Sequence, residues 1–291
     1  MRILGIVSSP RKGGNSELAV KEVMRHFPED SEKVMINLCS LDIENCNACY
    51  SCVPRGSKCV IKDDLDFIIR NVKHSDKVVV AAPSYMLGGH TMIKRVLDRL
   101  ISLVADYPNF NCTDCVIVNS YGYDDWEGLA YEDLLMFCKK LHMNVIGSEV
   151  ILATLPGDSV KGENLKKLQN LAELLASGKT DKNIGATRGN VADKDVLVCP
   201  FCGSSVMHIS YNGAVRCGLC AAEMELTLKE DGYDLKYDPT VNHHFTHKSL
   251  DEHVEYLKEK KQLFLETRGE IKKIQEYYSK PVLWFTPEDL K

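Results

Sequence analysis

No apolar run in the 291-residue sequence approaches the ~20 residues that are needed to cross a bilayer. The first residues lack the charged-then-apolar layout of a secretory signal, and their apolar run has the length of a core strand. The chain is not basic either, because 36 lysines and arginines stand against 41 aspartates and glutamates, a net charge of −5. These absences argue against a membrane protein and a general nucleic-acid binder, and we expect a cytoplasmic protein.

Two common nucleotide-binding patterns are also missing from the glycine-rich turn that follows the first apolar run. Residues 8–16 read Ser-Ser-Pro-Arg-Lys-Gly-Gly-Asn-Ser, without the Gly-x-x-x-x-Gly-Lys-Ser/Thr or the Gly-x-Gly-x-x-Gly pattern. A strand precedes this turn and a helix follows it, so backbone N–H groups should point at one anion. The hydroxyls, the glycines and the Asn15 amide predict a site for one phosphate monoester. The alternative is an ordinary turn in which Ser16 caps the helix.

Five apolar segments of strand length alternate with segments of helical spacing. We expect strands at residues 2–7, 34–38, 78–82, 115–119 and 145–152, and later helices at residues 63–72, 92–104, 127–141 and 165–176. This alternation predicts an α/β fold with a doubly wound, five-stranded parallel sheet. Such sheets bind ligands beyond the carboxyl ends of their strands, so the loops after the first, third and fourth strands should converge.

Residues 8–16 resemble the FMN-phosphate loop of the NADPH-dependent FMN reductase group of flavodoxin-like proteins. More narrowly they resemble the iron–sulfur flavoproteins of anaerobic bacteria and archaea, over about residues 1–178. Residues 82–99 resemble the Pro-x-Tyr … Lys-x-x-x-Asp-Arg region of the same family, where the loop embraces the isoalloxazine ring and the next helix forms much of a dimer face. Residues 119–126 match more loosely, although their glycine and aromatic side chains suit a flat ring.

The resemblance implies a flavodoxin-like fold with FMN on these three loops. It assigns to the cofactor Ser8, Ser9, Pro10, Arg11, Gly14, Asn15, Ser16, Pro83, Ser84, Tyr85, Met86, Leu87, Gly88, Ser120, Tyr121 and Gly122. Tyr85 and Tyr121 are candidates for contact with the substrate or the ring. No acid–base residue is assigned, because the cofactor carries this chemistry.

Eight of the twelve cysteines fall into two groups, which in a reducing compartment indicate metal ligands rather than disulfides. The first group lies in a cysteine-rich insert at residues 39–62 and consists of Cys46, Cys49, Cys52 and Cys59. Its C-x2-C-x2-C-x6-C spacing favours a [4Fe–4S] cluster over a structural zinc, which usually takes two separated pairs. The run, and the Asp63-Asp64 that follows it, also resemble the iron–sulfur flavoproteins. Bare thiols and another metal are the alternatives.

The second group consists of Cys199, Cys202, Cys217 and Cys220, two C-x-x-C pairs with fourteen residues between them. An Asn-Gly turn at residues 212–213 lies between short strand patterns and predicts a hairpin. A hairpin with two such pairs predicts a zinc ribbon with Zn²⁺ in a closed thiolate site. An iron site of the rubredoxin type is the alternative, although its aromatic and proline pattern is absent. Three nearby histidines, at 243, 244 and 247, are expected in a solvated loop.

The chain therefore divides into a flavodoxin-like part (1–178), a linker (179–194), the ribbon module (195–238) and a C-terminal helical arm (239–291). The linker has few large apolar residues. In the arm, Ser-Leu-Asp-Glu at residues 249–252 predicts the start of a helix through a capping box. This amphipathic helix either packs on the body or clasps another subunit.

Together these features predict a flavin-dependent oxidoreductase that passes electrons between FMN and a [4Fe–4S] cluster. NAD(P)H or ferredoxin is the expected donor, and a small molecule or a ferredoxin-like protein the acceptor. The resemblance implies a homodimer or homotetramer, and neither nucleic acid nor membrane is an expected partner. One alternative is a cluster-free NAD(P)H-dependent reductase of quinones or nitro compounds. Another is a redox-sensing adaptor that binds its partner through the ribbon.

Overall fold

The structure, a computed structural model, describes residues 1–53, 58–124, 126–180, 196–230 and 232–278. The turn expected between Cys52 and Cys59 lies outside these residues, as do most of the expected linker and the end of the arm. None of the described helices is long and apolar enough to cross a membrane.

The first part of the chain folds around a parallel sheet with the strand order β2-β1-β3-β5-β6. Its strands are β1 (Arg2–Val7), β2 (Glu32–Asn37), β3 (Lys77–Tyr85), β5 (Asp114–Tyr121) and β6 (Asn144–Leu152). A two-residue strand, β4 (Gly88–Gly89), turns back on the end of β3 in antiparallel pairing. The predicted doubly wound, flavodoxin-like sheet is confirmed, and its order reverses between β1 and β3, where such folds bind ligands.

Helices cover both faces of the sheet, which explains why its strands are continuous apolar runs. The helices are α1 (Asn15–Arg25), α2 (Leu65–Lys73), α3 (Thr91–Leu97), α4 (Ala130–Lys140) and α5 (Gly162–Ser177), with 3₁₀ segments at Leu38–Ser40, Leu100–Asn109 and Asp158–Val160. Because side chains alternate along a strand, Leu4 and Ile6 pack under α2–α4, whereas Ile3 and Val7 pack under α1 and α5.

The helix expected at residues 92–104 is shorter than its apolar pattern suggested. Helix α3 ends at Leu97, and a 3₁₀ segment continues to Asn109. At the junction the Arg99 N–H donates to the Val96 carbonyl (3.1 Å), a tighter turn than the α-helical one. This turn carries the Arg99 side chain into the protein interior, where it is 2% exposed.

The second part of the chain is a four-stranded antiparallel sheet with the order β10-β9-β8-β7. Its strands are β7 (Met207–Ile209), β8 (Ala214–Cys217), β9 (Glu223–Lys229) and β10 (Gly232–Lys236). The pairing of β7 with β8 confirms the predicted hairpin, and β9 and β10 were not expected. Ser204, which precedes β7, contacts the first part of the chain, because its hydroxyl donates to Glu132 Oε1 (3.4 Å).

The C-terminal helix, α6 (His247–Tyr278), begins earlier than expected. The predicted capping box at residues 249–252 is wrong, because the Ser249 N–H donates to Thr246 Oγ1 (3.2 Å) and Thr246 therefore caps the helix. Leu250 and Val254 are buried in the core beside α3 and α4, so the first turns of α6 pack on the body. Phe264, further along, is 47% exposed.

Candidate functional site

A cleft opens at the carboxyl ends of the parallel strands, as the strand order predicts. After β1 it is lined by Ser9, Arg11, Gly14, Asn15 and Ser16; after β3 by Pro83, Ser84 and Tyr85; and after β5 by Ser120, Tyr121 and Gly122. The structure therefore brings most of the sequence-predicted cofactor residues to one cleft.

The turn after β1 holds its shape through hydrogen bonds between its own residues. The Gly14 N–H donates to the Arg11 carbonyl (3.3 Å), and the Arg11 N–H donates to Ser9 Oγ (3.3 Å). Gly14 is the N-cap of α1 and has no side chain that could accept hydrogen bonds from the first N–H groups of the helix. The first turn of α1 therefore meets the cleft without a side-chain cap on these N–H groups. The alternative in which Ser16 caps the helix is wrong: Ser16 lies inside α1, with its Oγ 3.2 Å from Ser120 Oγ.

A second N–H of the turn is also used by a side chain. The Gly13 N–H donates to Glu17 Oε2 (2.7 Å), and the hydrogen bond from Lys21 is the largest of the effects that hold the pKa of Glu17 below its ordinary value. Gly13 has φ +64°, and a Cβ on it would meet no heavy atom within 4 Å, so its backbone bends outward into open space. The remaining anion-binding capacity of the turn lies at the first turn of α1.

The Asn15 side chain is fully engaged in binding a neighbouring loop. Its Nδ2 donates to the carbonyls of Ala153 (2.8 Å) and Leu155 (3.0 Å), and its Oδ1 accepts from the Gly157 N–H (2.9 Å) and, at 3.3 Å, the Ser159 N–H. The sequence placed this amide on the phosphate. In the structure it fixes the loop after β6 against the turn that follows β1.

Five of the sequence-predicted residues do not line the cleft. Ser8 is buried, with its Oγ 3.1 Å from His90 Nδ1, and Pro10 is exposed. Met86 and Leu87 form the exposed tip of the β3–β4 turn, where both have positive φ, and Gly88 pairs with Tyr85. These residues shape the cleft wall from behind or extend beyond its rim.

Sequence reasoning missed the loop after β6. Ala153 and Thr154 line the cleft: the Ala153 N–H donates to the Tyr121 carbonyl (2.7 Å), and Thr154 Oγ1 donates to the Gly122 carbonyl (2.9 Å). The available signal was their position, because they follow the fifth parallel strand and all carboxyl ends share one edge.

His90 was also missed, although it lies directly behind the cleft. Its ring packs edge-on against Tyr85, with 5.7 Å between ring centroids, and its Nδ1 is 3.7 Å from Cys39 Sγ. Burial lowers the pKa of His90, which favours the neutral ring. His90 therefore connects the Tyr85 loop with the start of the cysteine-rich insert.

The first cysteine group lies on a compact loop at the surface. Ala48 and Tyr50 have φ values of +52° and +54°, and Val53 anchors the loop with 1% exposure. Cys46 and Cys49 are exposed, and Cys52 and Cys59 are half-buried. No three of these four described sulfurs lie within 4.8 Å of one another. These four sulfurs are therefore not gathered around one point in the way that a closed tetrahedral site requires.

The second cysteine group is buried and gathered, with all four sulfurs within 4.8 Å of one another. Cys199 Sγ lies 3.6 Å from Cys220 Sγ, and Cys202 Sγ lies 3.7 Å from Cys217 Sγ. A tetrahedral ion with sulfurs at about 2.3 Å places them about 3.8 Å apart, so these distances fit one metal ion. The N–H groups of Leu219 and Cys220 point at Cys217 Sγ (3.4 and 3.5 Å).

Electrostatics at this second group favour a thiolate at Cys217. Hydrogen bonds from the neighbouring thiols lower the pKa of Cys217. The three nearby histidines are not part of the group: His243 packs on Phe201, with ring centroids 5.1 Å apart. The second group can therefore hold a metal with four sulfur ligands.

Comparison with known proteins agrees with this geometry. The family model for NADPH-dependent FMN reductase matches residues 1–156. An iron–sulfur flavoprotein of Methanocaldococcus jannaschii is 34% identical over 100 residues, which are 34% of this chain and 51% of that protein. One of Archaeoglobus fulgidus is 28% identical over 189 residues, 62% of this chain and 82% of that protein. The chain thus spans about half the length of the first of these relatives.

Among solved structures, a flavone reductase superposes with a TM-score of 0.73 at 19% identity, over 99% of this chain and 100% of that chain. At this identity the match shows a shared fold, which includes the second sheet and the C-terminal helix. Because the family model covers 156 of the 291 residues, this chain belongs to the NADPH-dependent FMN reductase family, a family of FMN-dependent oxidoreductases.

Proposed function

We propose that this chain is an oxidoreductase that holds FMN in the cleft and a [4Fe–4S] cluster on Cys46, Cys49, Cys52 and Cys59. NAD(P)H or a ferredoxin-like protein is the proposed donor, and a small molecule or a one-electron protein the acceptor. The observation that carries the proposal is the uncapped N-terminus of α1, which meets the hydroxyls of Ser9 and Ser16 at the switch point of the sheet.

The phosphate of FMN fits the first turn of α1. A helix N-terminus carries a partial positive charge and N–H groups without helical partners, which together favour an anion. Arg11, which lines the cleft, adds a full positive charge, and Ser9 adds a hydroxyl donor. Buried Ser16 and Ser120 lie behind this point, so the floor of the site is polar.

The flat ring of FMN fits between the loops after β3 and β5. Tyr85 is 44% exposed and lines the cleft, so its ring is available for stacking. Gly122 presents backbone rather than a side chain, which permits close approach of a ring. Ser84 steadies this wall, because its hydroxyl donates to the Glu127 carbonyl (2.8 Å) and thus joins the two loops.

The cluster is supported by the four-cysteine loop and by relatives that carry the name iron–sulfur flavoprotein. When bound, FMN supplies two-electron exchange with a hydride donor and one-electron exchange with a carrier such as a cluster. The residues of this chain bind and orient these groups. We also propose that the buried second group holds structural Zn²⁺, and that the protein is a homodimer or homotetramer.

A cluster-free reductase of small acceptors is the second candidate. The exposure of Cys46 and Cys49 favours it, since these thiols are accessible in the structure. The full-length fold match to a protein named flavone reductase is compatible with a small planar acceptor. In this candidate the FMN cleft keeps its role and the first cysteine group carries no metal.

Anaerobic purification separates the two candidates. We expect bound FMN, together with iron and acid-labile sulfide in the amounts of one cluster, and a broad visible absorbance that dithionite bleaches. Cys49→Ala should remove this absorbance and keep the flavin bands, whereas Cys112→Ala, which alters an exposed cysteine outside both groups, should keep both. FMN without iron would support the second candidate, and a colourless protein that stays colourless with excess FMN would contradict both.

A further inference from the structure

Arg99 has a buried guanidinium directly beside the first cysteine group. Its side chain is fully buried and forms an ion pair with Asp63, whose side chain is 1% exposed. Arg99 Nη2 donates to Asp63 Oδ1 (3.0 Å), and Nη1 contacts the other carboxylate oxygen. Removal of one partner from such a pair is costly, so the pair is a fixed feature of the fold.

The same guanidinium joins the two ends of the cysteine-rich insert. Nη1 donates to the Glu44 carbonyl (3.2 Å), just before Cys46, and Nη2 is 3.4 Å from the Ile61 carbonyl, just after Cys59. Asp63 closes the same junction from the other side, because it accepts from the Glu44 N–H (2.8 Å). Arg99 and Asp63 therefore fix where the cysteine loop leaves and re-enters the body.

One hydrogen of Arg99 points at a sulfur. Nη2 lies 3.3 Å from Cys59 Sγ and donates to it. This contact reaches a residue inside the insert, in addition to the carbonyl and carboxylate contacts at the two ends of the insert. It places a buried, permanently charged donor on one of the four proposed cluster ligands.

We infer that Arg99 is a positioning residue that donates a hydrogen bond to the cluster-bound Cys59 sulfur and raises the reduction potential of the cluster. This inference rests on the proposed cluster. A reduced cluster carries one more negative charge than an oxidised one, so a nearby cation and an N–H···S hydrogen bond stabilise the reduced form more. The protein interior strengthens this interaction, because the guanidinium is shielded from water.

Asp63 makes the inference testable through the sign of the effect. Its carboxylate lies against the same guanidinium and opposes the positive charge of Arg99 near the cluster. Loss of the arginine charge should lower the potential, whereas loss of the aspartate charge should raise it. A residue pair with a merely structural role would shift the potential in the same direction when either partner is changed.

The experiment is a potentiometric titration of the cluster in anaerobic holoprotein, in which electron paramagnetic resonance monitors the reduced cluster. We expect a more negative potential in Arg99→Gln, a more positive one in Asp63→Asn and a smaller negative shift in Arg99→Lys, which keeps the charge. Flavin and iron contents measured on each sample show whether the site is intact. Unchanged potentials, or shifts of one sign, in cluster-loaded variants overturn the inference and leave the proposed function standing.

A measurement on folded wild-type protein covers the case in which the variants do not fold. Protein labelled with ¹⁵N-arginine should show a ¹⁵N hyperfine coupling to the reduced cluster, and the coupling should persist in an Arg55→Lys background, which removes the arginine inside the insert. A missing coupling overturns the inference. Wild-type protein that binds FMN but no iron overturns it together with the proposed cluster.

Discussion

Gly128 lies against the backbone of Leu87, so closely that a Cβ on Gly128 would be 2.2 Å from the Leu87 carbonyl oxygen. The next residue uses this proximity, because the Leu129 N–H donates to the same carbonyl (2.8 Å). Gly128 also has φ +58°, a conformation that residues with a Cβ rarely adopt. This contact holds the loops after β3 and β5 together at the edge of the cleft.

Gly128→Ala should therefore loosen the wall of the proposed flavin site. The left-handed conformation and the clash with backbone together cost about 1–3 kcal/mol. We expect FMN affinity to fall by roughly tenfold, because about 1.4 kcal/mol corresponds to that factor. Titration of FMN into FMN-free protein, monitored through the quenching of flavin fluorescence, measures this affinity.

Gly269→Ala is the matched control for this substitution. Gly269 lies within α6 and a Cβ there meets no heavy atom within 4 Å. Alanine at an exposed helical position should stabilise the helix by about 0.5–1 kcal/mol, and FMN affinity should not change. Equal FMN affinity in Gly128→Ala and wild type would show that the two loops do not form the site together.

Asn15→Asp tests whether the phosphate turn depends on the loop after β6. The substitution replaces two donated hydrogen bonds with a carboxylate facing the carbonyls of Ala153 and Leu155, at a cost of about 1–3 kcal/mol. It also places a negative charge beside the proposed phosphate site. We expect FMN affinity to fall by more than tenfold and riboflavin affinity to fall less, because riboflavin has no phosphate.

Asn164→Asp provides the comparison for this prediction. Asn164 Nδ2 donates to the carbonyls of Leu152 (2.8 Å) and Asp158 (3.1 Å), so it steadies the same loop from α5, outside the residues that line the cleft. Its substitution should change the affinities of FMN and riboflavin by similar factors. If Asn15→Asp also lowered the affinities of FMN and riboflavin by similar factors, the phosphate would not lie beside Asn15.

The sheet could be predicted from the sequence because its strands are buried on both faces. Continuous apolar runs such as residues 78–82 alternate with helical segments, and in such a sequence they predict the strands of a parallel sheet. The rules for connecting such strands then leave few possible topologies. The second sheet was only half predicted. In β9, Met224 and Leu226 face the small core and charged residues alternate with them. The Asp-Gly pair at residues 231–232 is a hairpin signal that the sequence reasoning did not use.

The candidate site could be located from the sequence but its internal contacts could not. The role of Asn15 depends on Ala153, which is 138 positions away, and that of Gly128 depends on Leu87 on another loop. No local pattern carries such pairs. The change from an α-helix to a 3₁₀ segment near Arg99 could not be predicted either. Over a few residues the two kinds of helix place apolar side chains alike.

Cys217→Ser should remove the metal from the second cysteine group. A structural zinc contributes on the order of 10 kcal/mol to the fold of a small module, so its loss should unfold the second sheet. FMN should stay bound, since no residue of that sheet lines the cleft. Elemental analysis should find one fewer zinc per chain, and limited proteolysis should cut between residues 196 and 236.

Cys112→Ser is the control, because Cys112 is exposed and lies outside both cysteine groups. It should keep the full zinc content and the wild-type proteolysis pattern. Iron in place of zinc in wild-type protein would show that the rubredoxin-type alternative holds. An unchanged metal content in Cys217→Ser would exclude a four-sulfur site of either kind.

The ion pair between Asp114 and Lys77 predicts a pH-dependent contribution to stability at the opposite end of the sheet. Lys77 Nζ donates to Asp114 Oδ2 (2.8 Å) and Asn144 Nδ2 donates to Oδ1 (2.8 Å). Burial alone would raise the pKa of Asp114, but these two hydrogen bonds outweigh it and hold the pKa below its ordinary value. The unfolded chain therefore takes up a proton first as the pH falls.

A group with a lowered folded pKa stabilises the protein above its unfolded pKa, about 3.9 for aspartate, and this stabilisation is lost as the pH falls through the folded value. The coupling between Asp114 and Lys77 should be roughly 1 kcal/mol at pH 7, since both side chains are partly exposed. A double-mutant cycle with Asp114→Asn and Lys77→Gln, measured by urea unfolding, should give this value at pH 7 and a smaller one at pH 4. A coupling that grows on acidification would contradict the assigned sign.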